Sequence, residues 1–221
     1  MIGVELRYTL VSEGSSDIAL LPILDWLLQE CLPHRAIQPQ WADLRSLPQP
    51  PRSLSDKVLR AYQLFPCDLI FVHRDADNEP YIQRRQEIEA ALVVAAQHWR
   101  GIPPAICVVV PIRMQETWLL IEEAAIRRAA GNPNGREPLR LPQLTQLENV
   151  SDPKQVLYDV LRRASGLSGR RLRAFQERRA AVRIADYIDD FTLLRRLSAF
   201  RLLEQQIEQI VLDHNLRTGG Q

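Results

Sequence analysis

Four short apolar segments, each separated from the next by a helical stretch, constrain this chain more than any other feature. Leu6–Val11 and residues 36–42, 68–73 and 106–112 are rich in β-branched and aromatic side chains or bounded by turn residues. Short runs of this kind read as strands, and β-branched runs without polar alternation read as strands covered on both faces. Between them, residues 18–32, 53–65 and 81–99 carry helical patterning. Strand and helix alternating in this way predicts an α/β layer with a mainly parallel sheet. Pro22, early in the first helical stretch, marks either a kink or the true start of that helix.

After residue 113 the strand pattern stops. Residues 117–130, 153–164, 170–189 and 193–212 read as helices, with a breaker at Gly131-Asn132-Pro133-Asn134-Gly135. In the last helix Leu193, Leu197, Phe200, Leu203, Ile207 and Ile210 recur every three to four residues, a stripe that faces a core or a second copy in a homodimer. The expected organisation is an α/β unit over residues 1–115 and a helical extension over 116–221.

Composition sets the class. The chain has 221 residues, 46% hydrophobic and 25% charged, with a formal net charge of +1. That is enough apolar material for a large core, and it excludes a globally basic nucleic-acid coat. Cys31, Cys67 and Cys107 show no Cys-x-x-Cys pairing, which reads as core thiols in a reducing cytoplasm. The N-terminus lacks signal-peptide order, and no apolar run is long enough to span a bilayer, so no membrane partner is expected.

In an open parallel sheet, chemistry collects at the carboxyl ends of the strands. The first strand is followed by Glu13, Gly14 and Asp17, the third by Arg74, Asp75 and Asp77, and the fourth by Arg113 and Glu116. Five carboxylates near one edge repel one another unless a hard cation sits among them. Magnesium suits such a set together with substrate phosphates. Each acid has a plainer reading as well: a turn closure for Asp75 and Asp77, a first-turn helix acid for Glu116.

Glu13-Gly14-Ser15-Ser16-Asp17 after one strand and Asp75-Ala76-Asp77 after a later one resemble the Toprim domain over roughly residues 5 to 115. The Glu-Gly-x-Ser-Asp form is closest to the nuclease-type branch that includes the overcoming-lysogenization-defect proteins. Gln115-Glu116-Thr117-Trp118-Leu119-Leu120 and the following Gly-Asn-Pro-Asn-Gly resemble a bacterial Toprim-like branch whose genes often lie beside an ATPase gene, including in phage-defence clusters. The resemblance implies Glu13 as general base or metal ligand and Asp75 and Asp77 as ligands of Mg²⁺ or Mn²⁺. It adds Asp17 and Glu116 as further ligands. It implies a nucleic-acid substrate, DNA or RNA, and an ATPase partner. No topoisomerase tyrosine context and no primase zinc module is present. The lysine that some Toprim nucleases carry beside the metals has no evident counterpart, and Arg74 or Arg113 is the candidate substitute.

Residues 160–183 hold eight arginines, among them Arg162, Arg163, Arg170, Arg171 and Arg173, against one acid, Glu177. Arginine forks bind phosphate bidentately without reading sequence, and the same run also reads as a solvated helix face. A Gly-x-x-x-x-Gly-Lys loop occurs nowhere, which argues against a P-loop NTPase. The expected function is therefore a Mg²⁺-dependent nuclease with nucleic-acid contacts from the arginines. The alternatives are a non-catalytic protein that binds an ATPase and, more weakly, a small-molecule phosphohydrolase.

Overall fold

The computed structural model describes residues 5–213. Its four-stranded sheet is wholly parallel in the order β2-β1-β3-β4, with β1 at Leu6–Val11, β2 at Ile37–Trp41, β3 at Leu69–His73 and β4 at Ala105–Val109. The chain begins in the middle of the sheet. It crosses to one side to form β2, then to the other for β3 and β4. Strand order thus reverses between β1 and β3, and a crevice opens at their carboxyl ends.

Strand periodicity divides the interior into two cores. Leu6, Tyr8 and Leu10 of β1, Leu69 and Phe71 of β3, and Ala105, Cys107 and Val109 of β4 share one core. Val11, Ile70, Val72 and Val108 share the other. Alternate residues point to opposite faces, so a sheet covered on both sides needs apolar residues at nearly every position. The register sets Leu10 beside Phe71 and Phe71 beside Cys107. Tyr8 meets Phe71 edge-to-face with centroids 5.2 Å apart.

Helices α2 (Leu54–Leu64) and α3 (Tyr81–Ala96) cover the second core through Val58, Ala61, Ile88 and Ala95. Helix α1 (Leu21–Cys31) covers the first core, joined there by the helical extension. One apolar cluster runs continuously from Leu6 to Val211. The extension is built from α4 (Glu116–Leu119), α5 (Glu123–Ala129), α6 (Pro153–Ser165), α7 (Gly169–Arg173), α8 (Glu177–Val182) and α9 (Ser198–Asp213). Phe200 of α9 meets Trp118 at 5.5 Å and Trp26 at 6.4 Å, and Trp118 is fully buried. Gln206 of α9 reaches the outer side of β4. Its Nε2 donates to the Val108 carbonyl at 3.3 Å, and its Oε1 accepts from the Val108 N–H at 3.4 Å.

Several elements are shorter than periodicity predicts. The first helical stretch opens as a 3-10 turn, Ser15–Leu20, and α1 begins at Leu21 with Pro22 in its first turn, where the missing N–H costs nothing. The fourth strand ends at Val109, two residues before Pro111. The stretch 117–130 divides into α4 and α5, and 170–189 divides into α7, α8 and a 3-10 turn at Ala185–Tyr187. Helix α6 matches its pattern. Asp152 caps it through the Gln155 N–H at 2.9 Å, Pro153 opens it, and Gly166 closes it at φ +63°. No helix among the described residues is long and apolar enough to cross a membrane, and Cys31, Cys67 and Cys107 form no disulfide with one another.

Candidate functional site

The crevice between β1 and β3 is where the acids gather. Beyond Val11 the chain turns through Ser12, Glu13 and Gly14 into the 3-10 turn, which buries Asp17. Asp17 Oδ2 accepts from the N–H groups of Glu13 at 3.1 Å and Gly14 at 2.8 Å. Its Oδ1 accepts from Ser16 Oγ at 3.3 Å and Gln115 Nε2 at 2.9 Å. A carboxylate has about four lone-pair sites. Asp17 therefore has all of them filled, two by the Glu-Gly backbone and two by Ser16 and Gln115. A Cβ on Gly14 would meet Asp17 Oδ1 at 3.4 Å, an ordinary van der Waals contact.

The end of β3 supplies His73, Arg74 and Asp75. Asp75 Oδ1 accepts from the Gln115 N–H at 2.7 Å. Gln115 thus ties Asp17 with its side chain and Asp75 with its backbone. The next residue, Glu116, opens α4, and it is 4% exposed. Its Oε2 is buried with no hydrogen-bond partner, as is Gln115 Oε1.

These acids are held at a cost. Burial pushes the Asp75 carboxyl well above the usual range, and the charges of Glu116 and Asp17 add to it. Burial likewise raises Glu116, partly offset by a hydrogen bond from its own backbone and the charge of Lys154. Burial lowers His73, so its imidazole is neutral near pH 7. Its Nδ1 lies 3.2 Å from the Val109 carbonyl, which can only accept, so Nδ1 carries the proton. The Nε2 lone pair then faces Asp75 Oδ1 at 3.6 Å. With Asp75 ionised, two acceptors face each other with no donor between them.

The outer rim is ionic. Arg74 pairs with Glu13 at 2.9 Å and Glu87 at 3.4 Å. Arg84 of α3, largely buried, holds Glu87 at 2.7 Å and Asp77 at 3.5 Å. Arg113 donates to Asn78 Oδ1 at 2.7 Å. Asp77 and Glu13 keep about half of their side-chain surface in solvent.

Of the residues singled out from sequence, Glu13, Asp17, Asp75, Glu116 and Arg74 come together at the crevice, with Asp77 and Arg113 on its rim. The segment arginines belong to the helical extension, and Arg178 among them reaches back to Ser15 of the Glu-Gly turn. Arg162 pairs with Glu177 at 2.5 Å and Asp159 at 3.4 Å. Arg163 donates to the Leu139 carbonyl at 3.2 Å. Arg170, Arg171 and Arg173 sit on α7, exposed.

Three participants escaped sequence reasoning. Gln115 stood there only as part of a motif, and its bridging role spans 98 residues to Asp17. His73 was visible as the one ionisable side chain within a fully buried strand. Both lysines of the chain come close to the site. Lys57 of α2 lines a small cavity with Glu13 and Gly14, and the charge of Lys154 acts on Glu116.

Among the described residues, no three His, Cys, Asp or Glu side chains converge as a ready metal-holding group. The chemistry of the donor set nevertheless fits a hard cation: oxygen ligands only, crowded negative charge, and a carboxylate oxygen left without a donor. Comparison of the chain with family models, curated proteins and solved structures returns no match.

Proposed function

We propose that this chain is a divalent-metal-dependent nuclease of the Toprim type. The observation that carries the reading is the unbalanced acceptor cluster at the switch point: Asp75 against the His73 lone pair, beside the unpartnered Oε2 of buried Glu116. A site of this kind is stabilised by adding positive charge, and a hard cation with oxygen ligands answers that need. Asp75 and Glu116, with Asp77 from the rim, would hold Mg²⁺ or Mn²⁺, and Glu13 would serve as the general base. Asp17 acts one step behind them by fixing the Glu13 turn.

When bound, the metal supplies a polarised phosphoryl oxygen and an activated water. The chain's own residues do the rest. Glu13, exposed and paired with Arg74 rather than buried, is free to take a proton from water at the rim. Lys57 and Lys154 offer fixed positive charge for the phosphate. Gln115 holds Asp75 and Asp17 in mutual register.

The test is cleavage of plasmid, linear, single-stranded and transfer-RNA substrates with Mg²⁺ or Mn²⁺, wild type beside Asp75→Ala. Metal-dependent cleavage that the substitution abolishes is the expected result. Cleavage that survives in Asp75→Ala overturns the site assignment. A second reading, a non-catalytic protein that binds an ATPase, is favoured by the full occupation of Asp17. Co-purification of an ATPase with no calorimetric metal binding would support it.

A further inference from the structure

A cavity of about 790 Å³ lies between the Ser15 turn and the α7–α8 region. Ser15, Arg171, Phe175, Arg178, Arg179 and Arg183 are among its lining residues, and no acidic side chain is. Several arginines elsewhere pair with carboxylates, among them Arg74, Arg84, Arg127, Arg162 and Arg195. The four cavity arginines differ. Among the described residues Arg178 donates to Ser15 Oγ, Arg179 to Gln176 Oε1 and Arg183 to the Tyr187 hydroxyl, all neutral acceptors. The one acid of the segment, Glu177, is taken by Arg162. Four exposed guanidinium groups without a carboxylate partner around one concavity favour an anion with several acceptor oxygens, and phosphate is the fit.

Two further observations narrow the ligand. Phe175 is partly buried against the core and lines the cavity. An aromatic ring beside guanidinium groups is the kind of platform on which unpaired bases stack. In a duplex those base faces are already covered. The Arg178–Ser15 contact places one wall of the cavity beside the Glu-Gly turn. Ser15 is two residues beyond Glu13, so their Cα atoms lie within roughly 7 Å of each other.

We propose that this cavity seats an unpaired nucleotide of a single-stranded nucleic acid, with phosphates on Arg171, Arg178, Arg179 and Arg183, its base against Phe175, and the strand leaving over Ser15 toward the acids. This deepens the nuclease reading by naming its substrate class. It rests on that reading for nucleic acid as the ligand, and not on cleavage.

The experiment is fluorescence anisotropy in EDTA, which removes cleavage. A labelled 12-nucleotide single strand is compared with the duplex of the same sequence and with a nucleoside monophosphate as competitor. The expected result is single-strand binding at least about 10-fold tighter than duplex binding. Phe175→Leu should weaken it about 5- to 100-fold. The double substitution Arg179→Gln, Arg183→Gln should weaken it further and lower the log–log salt slope by about 1.4, at about 0.7 per lost phosphate contact. Thermal melts establish that the variants are folded. Equal affinity for strand and duplex, or affinity unchanged in the double variant, overturns the proposal. Competition by the mononucleotide as strong as by the unlabelled strand would also overturn it, because the cavity would then serve a free nucleotide. A wild type that binds single strands this way but cuts nothing refutes the nuclease reading alone. Cleavage with affinity untouched by the substitutions refutes this inference alone.

Discussion

The Asp77 N–H donates to the Arg113 carbonyl at 2.7 Å, and both residues hold left-handed backbone, at φ +55° and +64°. The loops leaving β3 and β4 therefore lock each other in strained conformations at the rim of the acid cluster. Strain of this kind persists only where surrounding structure enforces it. It puts a carboxylate and a guanidinium at fixed points on the rim.

That strain gives a stability order opposite to the usual one. In ordinary backbone alanine is more stabilising than glycine. At Arg113 both substitutions lose the contact to Asn78, so their difference isolates the backbone. Arg113→Gly is expected to be more stable than Arg113→Ala by about 1 kcal/mol. Urea melts of the two variants check this, and the reverse order would remove the left-handed conformation from the argument.

Gln115 links two acids that belong to different strands. Gln115→Ala leaves buried Asp17 one donor short. A hydrogen bond to a charged group contributes about 1.5–3 kcal/mol, so a loss of about 2 kcal/mol is expected. Gln115→Glu should cost more at pH 7, since it sets a third carboxyl against Asp17 and Asp75, and should recover part of the loss toward pH 4. If both substitutions cost less than about 0.5 kcal/mol, the bridge does not organise the site.

Glu116 opposes stability to function. Glu116→Gln removes a charge that burial disfavours. In EDTA the variant is expected to melt above wild type. In Mg²⁺ the order should narrow or reverse, because wild type alone gains a full ligand, and cleavage should fall at least about 10-fold. Calorimetric melts with and without Mg²⁺ report both effects.

Away from the site, Asp25 provides a pH signature. Burial raises its carboxyl above the ordinary value of 3.8, opposed by the Tyr8 hydroxyl, and its Oδ1 is buried without a partner. The folded state therefore binds the proton more tightly than the unfolded chain. The stability this proton confers is fully present below the ordinary carboxylate range and is lost as pH rises through the raised value. Asp25→Asn carries no such loss. Its melting temperature relative to wild type should climb with pH above about 4 and then level off. Parallel curves for the two proteins would contradict the assignment.

The parallel sheet was legible because β-branched runs have few other uses, and Leu69–His73 needs cover on both faces. The joint placement of Glu13, Asp75 and Glu116 was legible because strand ends converge in such a sheet whatever the intervening sequence. Gln115 was not, since its two contacts join residues 98 and 40 positions apart. Nor was the break within 170–189. An uninterrupted helix there would be about 30 Å long. Instead α7 ends at Arg173, and α8 restarts so that Ala180 and Ala181 enter the core while Glu177 meets Arg162. Local periodicity cannot register such tertiary demands.

The reach of Gln206 to Val108 has a consequence for assembly. The outward N–H and carbonyl of Val108 are the groups a neighbouring strand would use. On the opposite border, Ala36 and Ala42 bond to β1, so the intervening Pro39 turns a nitrogen without hydrogen to the outside. Each border thus lacks a rung at its centre. The sheet is self-terminating: it resists lengthening by strand exchange or templated stacking.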